Sequence, residues 1–116
     1  MSDDHSFIIP TSDKSWYDDV NKASYTDLVL VFFEADWCGP CKQLRAVVET
    51  VAEKHPEVHV HSYDVDAEKD QLSLFHVDGI PTLMLFKAGC RAETLTGYQS
   101  VDMIERILAK HLFKPT

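Results

Sequence analysis

The sequence predicts an α/β fold, with a central sheet covered by helices on both faces and an antiparallel hairpin at one edge. Three observations carry this. Strand-like and helix-like segments follow one another in the order β α β α β α β β α. Leu28 to Glu34 is a continuous, largely apolar run, as expected of a strand covered on both faces. The segments between strands repeat their apolar residues at helical period.

Phe7 to Ile9 is a short apolar run stopped by Pro10, a candidate edge strand. Thr11 and Ser12 can cap a helix that turns Trp16, Tyr17 and Val20 inward. After the Leu28–Glu34 strand, Leu44, Val47, Val48, Val51 and Ala52 mark one face of a helix over 38–54, ended by His55-Pro56. Val58 to Val65 is a second central strand, and Glu68 to Phe75 a short helix. Pro81 to Phe86 is a strand with proline at its first position, where a missing N–H does least harm. Ala88-Gly89 turns the chain into a last strand over Ala92 to Thr96. Ser100 caps a final helix with Val101, Ile104, Ile107 and Leu108 on one face.

The 116 residues make one domain, with residues 1–6 expected to form a flexible N-terminal extension. A chain of this length can bury an apolar core without a metal or disulfide staple. Eleven Lys and Arg against nineteen Asp and Glu give a net charge of -8, which disfavours nucleic acid and anionic membranes as partners. The longest apolar run, Leu28 to Phe33, cannot cross a bilayer. The N-terminus does not read as a secretory signal, so the chain is expected to be soluble and cytoplasmic.

Three cysteines are too few, and odd in number, for a disulfide-stapled secreted domain. Two of them lie in Trp37-Cys38-Gly39-Pro40-Cys41-Lys42, between the strand ending at Glu34 and the following helix. Cys38 falls at the helix N-terminus, where free N–H groups and the helix dipole favour a thiolate, the nucleophile of disulfide exchange. Cys41 lies one turn inward, close enough to attack a mixed disulfide formed on Cys38. Pro40 is tolerated in the first helical turn and stiffens the loop.

With Asp64-Val65-Asp66, Val77-Asp78-Gly79-Ile80-Pro81-Thr82, Phe86-Lys87, Gly89 and Gly97, this motif makes an ordered set that resembles the thioredoxin family over nearly the whole chain. The resemblance implies a mixed five-stranded sheet flanked by four helices. It implies that Cys38 attacks a substrate disulfide and Cys41 resolves the mixed disulfide. It also implies a cis Ile80–Pro81 bond facing the cysteines, with the backbone of Ile80 pairing to an extended substrate segment. Trp37, Gly39, Pro40, Gly79, Ile80, Pro81 and Gly97 are the residues it assigns to the substrate groove. The implied partners are disulfide-containing client proteins and an NADPH-dependent thioredoxin reductase, with no bound cofactor and a monomeric chain.

Two departures from the family pattern stand out. Phe32 occupies the place of a buried Asp six residues before the first cysteine, and Ser62 the place of a Lys on the facing strand. The buried carboxylate is associated with deprotonating the resolving cysteine. Glu34 stands where the family usually has Trp, and strand alternation puts it on the face of Phe32. In the family layout Glu34 approaches Asp66. Two shielded carboxylates side by side cannot both ionise easily, so Glu34, coupled to Asp66, is a candidate proton acceptor for Cys41; the plainer alternative is that Glu34 points to solvent and that water or the leaving thiolate takes the proton. Asp36, Asp66 and Asp78 are expected around the nucleophile, where their charge opposes the thiolate while Lys42 favours it.

Other readings of the same residues are plainer. A zinc half-site would need a second ligand pair, which the sequence lacks. His59 and His61 share a strand face but lie away from the motif. Cys90 reads as an exposed spare thiol and Trp16 as core. Three function classes remain: a dithiol reductant of protein disulfides; a redox-weak or redox-silent binding module using the Trp37/Ile80 groove; and an oxidase or isomerase. The Gly-Pro pair between the cysteines is that of the family's reducing members and weighs against the last.

Overall fold

The computed structural model describes residues 6–112. Five strands form one mixed sheet in the order β1-β3-β2-β4-β5: β1 Ile9–Thr11, β2 Val29–Glu34, β3 His59–Asp64, β4 Thr82–Lys87 and β5 Cys90–Thr96. β1 and β2 run parallel to β3, while β4 is antiparallel to both β2 and β5. The helical segments are a π-helix, Tyr17–Lys22, continuing into a 3-10 turn, Ala23–Tyr25, and then α1 Gly39–Lys54, α2 Asp70–Leu74 and α3 Val101–Leu112.

Strand alternation divides the core into two layers. Leu30, Phe32, Leu83 and Leu85 meet Leu44, Val48 and Val51 of α1 and Ile104 and Leu108 of α3. Val29, Val31, Phe33, Tyr63, Met84 and Phe86 meet Trp16 and Val20, with Leu72 and Phe75 packed against them. Trp16 centres the second layer, edge-on to Tyr63 at 5.7 Å and to Phe86 at 5.6 Å between ring centroids. Burying both faces of β2 and β4 fixes their register, since a one-residue slip would exchange the two layers.

Four details depart from the expected layout. β1 runs through Pro10 instead of stopping before it, because this edge strand pairs on one side only and tolerates a residue without an N–H. Tyr17 is 64% exposed: Trp16, the N-cap of the π-helix, and Val20 within it share the buried face, and one residue step carries Tyr17 round to solvent. β5 begins at Cys90 rather than Ala92. α2 is shorter than expected, at five residues. Its first N–H groups are met from outside: Asp13 accepts from the backbone of Lys69 at 3.1 Å and Asp70 at 3.0 Å, and the Tyr63 hydroxyl accepts from Gln71 at 3.0 Å while donating to Asp13 at 2.6 Å. Burial pushes the Asp13 carboxyl up, but these hydrogen bonds outweigh it and hold the group below its ordinary value.

The expected extension over residues 1–6 lies outside the described residues except for Ser6, which hydrogen bonds through its hydroxyl to Glu49 of α1. The same Glu49 accepts from the backbone of Phe7 at 2.8 Å.

Candidate active site

The motif occupies the link from β2 to α1. A turn closes with Cys38 N–H donating to the Ala35 carbonyl at 3.1 Å. Cys38 is then the N-cap of α1, in extended conformation, and its Sγ accepts from the backbone N–H of Cys41 at 3.2 Å. Gly39 and Pro40 fill the first helical positions, where an N–H has no intrahelical partner and proline loses nothing. Lys42 ties the loop down, its Nζ donating to the Asp36 carbonyl at 2.6 Å. Cys38 and Cys41 are joined as a disulfide, with their Cα atoms 5.2 Å apart. Cys38 is 4% exposed and Cys41 1%. In this oxidised form Cys38 is therefore not openly accessible, because the bond turns each sulfur toward the other. The third cysteine, Cys90, is free and exposed.

Beside the disulfide, Trp37 is 69% exposed, and its indole Nε1 donates to Asp66 Oδ2 at 2.9 Å. Trp37, Gly79 and Ile80 share the lining of one hollow. The Ile80–Pro81 peptide is cis. Thr82 Oγ1 donates to the Gly79 carbonyl at 2.7 Å, and Gly97, at φ 78°, donates its N–H to the Pro81 carbonyl at 3.0 Å. The structure thus links most of the residues assigned to the groove: Trp37, Gly79 and Ile80 through the hollow, and Pro81 with Gly97 through a backbone hydrogen bond. Gly39 and Pro40 are exposed at the start of α1.

Glu34 and Asp66, expected to be coupled, each have a hydrogen-bond partner of their own. Asp66 is engaged with Trp37, and its backbone N–H is held by Asp64 Oδ1 at 2.9 Å. On Glu34 the partner is Arg45 of α1, which binds it through Nη2 and through Nε at 3.3 Å. The cause is strand alternation: Glu34 shares the α1 face with Phe32, and Arg45 lies over the Phe32 ring at 5.9 Å. Phe32 pairs in register with Ser62, so the two family departures are neighbours. Glu34, Asp36, Cys41, Lys42 and Arg45 line a second hollow of about 240 Å³. Sequence reasoning missed Arg45, although Cys41, Arg45 and Glu49 follow at four-residue steps, the spacing of one helix face. His59 pairs with Asp27 at 3.0 Å and His61 is buried against the Ile9 carbonyl at 3.0 Å, both away from the motif.

A cysteine pair closed at a helix N-cap, at the sheet end where a cis-proline turn enters β4, is the arrangement of a thiol–disulfide oxidoreductase. A helix N-terminus favours the attacking thiolate, and a second thiol within bonding reach lets the enzyme release its product. Comparison with known proteins narrows this class. The sequence model of the thioredoxin family matches residues 7–110, and the chain belongs to that family. It is similar to thioredoxin of Chlamydia muridarum, 43% identical over 84 residues, covering 72% of this chain and 82% of the relative. It is also similar to thioredoxin of Alicyclobacillus acidocaldarius, 44% identical over 82 residues, covering 70% and 78%. Thioredoxin of Acidithiobacillus ferridurans is 36% identical over 106 residues, covering 90% and 96%. The chain is a thioredoxin-type dithiol–disulfide oxidoreductase. No helix among the described residues is long and apolar enough to cross a membrane.

Proposed function

We propose that the chain is a cytoplasmic, monomeric electron carrier that reduces disulfides in client proteins and is itself reduced by an NADPH-dependent thioredoxin reductase. The observation that carries this reading is the Cys38–Cys41 disulfide seated at the N-cap of α1 beside the exposed Trp37. In the reduced form the Cys38 thiolate attacks a client disulfide and forms a mixed disulfide, releasing one client thiolate. Cys41 loses its proton and attacks Cys38 Sγ, so the second client sulfur leaves and the Cys38–Cys41 bond closes. Two electrons pass to the client. The extended client segment pairs with the backbone of Ile80, between Trp37 with Gly79 on one side and Gly97 on the other, over Gly39, Pro40 and Pro81.

Phe32 cannot take the Cys41 proton. Glu34 takes that role in this reading, since it lines one hollow with Cys41. That hollow is polar and larger than the roughly 30 Å³ share of one water, so a proton can pass through solvent. Asp66 is reassigned from proton acceptor to the group that holds Trp37.

Trapping tests the division of labour. Cys41→Ser, reduced and mixed with a disulfide-linked client, should accumulate a covalent adduct on Cys38 that dithiothreitol releases. An adduct carried by Cys90, or no adduct at all, would contradict the assignment.

A further inference from the structure

The hollow beside Trp37 has a volume of about 210 Å³. Small-molecule pockets run roughly 300–1,000 Å³, so this one suits a single side chain. Val65, Leu72, Val77 and Ile80 give it an apolar lining, Trp37 adds an aromatic ring, and Asp78 is the one charged residue among those that line it. Asp78 is exposed, and the described residues show no ion pair to it. The side chain that matches all of this is long, apolar along its stem and cationic at its tip.

We infer that this hollow is a subsite for an arginine that flanks the attacked cysteine of the client. The inference rests on the disulfide-reductant reading above and adds a sequence preference to it. The arginine stem covers Val65, Leu72, Val77 and Ile80. The guanidinium pairs with the Asp78 carboxylate and lies against the Trp37 ring, a combination of forked hydrogen bonding and cation–π contact that lysine reproduces less well. Asp66, bonded to the Trp37 indole, adds negative charge nearby, and the chain's net charge of -8 attracts a basic client segment from a distance. A methionine would fill the apolar lining but gain nothing from Asp78, and a glutamate would be repelled.

The test uses three disulfide peptides identical except for Arg, Met or Glu beside the cysteine. The fully reduced chain should reduce the Arg peptide about three- to five-fold faster than the Met peptide, the scale of an exposed charge pair, and the Glu peptide slowest. Asp78→Asn should bring the Arg-to-Met ratio close to one, and Asp78→Lys should favour the Glu peptide. Equal Arg-to-Met ratios in the parent chain and Asp78→Asn, with all peptides still reduced, would overturn the subsite and leave the reductant reading standing. A second arm is independent of redox chemistry. The oxidised chain is titrated with the Arg peptide carrying serine for cysteine, followed by the fluorescence of the exposed Trp37. The response should saturate and should weaken in Asp78→Asn. If no peptide is reduced yet this response holds, the subsite stands and the reductant reading fails. A response identical in the two proteins counts against the subsite.

Discussion

The indole nitrogen of Trp37 and the carboxylate of Asp66 are joined by a 2.9 Å hydrogen bond across 29 residues of sequence. It ties the loop before the disulfide to the loop after β3, and so fixes an aromatic ring that would otherwise swing in solvent. A hydrogen bond of this kind contributes roughly 0.5–1.5 kcal/mol. Asp66→Ala should therefore lower kcat/KM for a protein disulfide by about two- to ten-fold, mostly through KM, and should change the Trp37 emission. Unchanged kinetics and emission would mean that the ring needs no tether.

Glu34 and Cys41 line the same hollow, and the proton of Cys41 has to leave during resolution. Stopped-flow resolution of a preformed mixed disulfide on Cys38 should be several-fold slower near neutral pH in Glu34→Gln, with the first attack by Cys38 little affected. An unaltered resolution rate, or equal slowing of both steps, would assign the proton to solvent.

His61 and Asp13 both shape the acid limb of stability, and Glu93 and Glu105, held below their ordinary values by His111 and His55, add to its lower part. Burial pushes His61 below its ordinary value of 6.5, despite the hydrogen bond to the Ile9 carbonyl. The unfolded chain therefore takes up a proton that the native state refuses, and stability falls as pH drops below about 6.5. Asp13 is held below its ordinary 3.8, so its contribution is present above that pH and is lost as pH falls through the lower native value. Urea midpoints should show two falling limbs. His61→Gln should flatten the first, and Asp13→Asn should reduce the second without removing the share of Glu93 and Glu105. A parent protein with no limb near pH 6.5, or a lower limb unchanged in Asp13→Asn, would contradict this.

The β4–β5 turn has both central residues at positive φ, Ala88 at 54° and Gly89 at 80°. That is the conformation of the two-residue hairpin, which favours Asn-Gly. A Cβ on Gly89 would clash with the Tyr25 hydroxyl. Gly89→Ala should cost about 1–2 kcal/mol, and removing the Tyr25 ring should recover only part of it. Ala88→Asn should stabilise by a few tenths of a kcal/mol to about 1 kcal/mol. Chemical denaturation measures both.

The sheet was legible because its signals are local. The continuous apolar runs of β2 and β4, the proline before β4 and the helical period of α1 each lie within one stretch of chain. The disulfide motif was legible for the same reason. What the sequence hid depends on distant partners. α2 is short because Asp13, more than fifty residues upstream, supplies its cap. Arg45 binds Glu34 because α1 lies on its side of the sheet, and that partner is set by packing that spacing alone does not rank. The pairing of Trp37 with Asp66 likewise needs β3 placed beside β2 before it can be seen.

The central claim is that Cys38 and Cys41 turn over protein disulfides. The most direct measurement is the rate at which dithiothreitol cleaves a two-chain protein held by disulfides, with and without catalytic amounts of the chain. The account predicts strong acceleration that is abolished in Cys38→Ser and retained in Cys90→Ser. Equal rates with and without the chain would contradict it and leave a thioredoxin-fold binding module in its place.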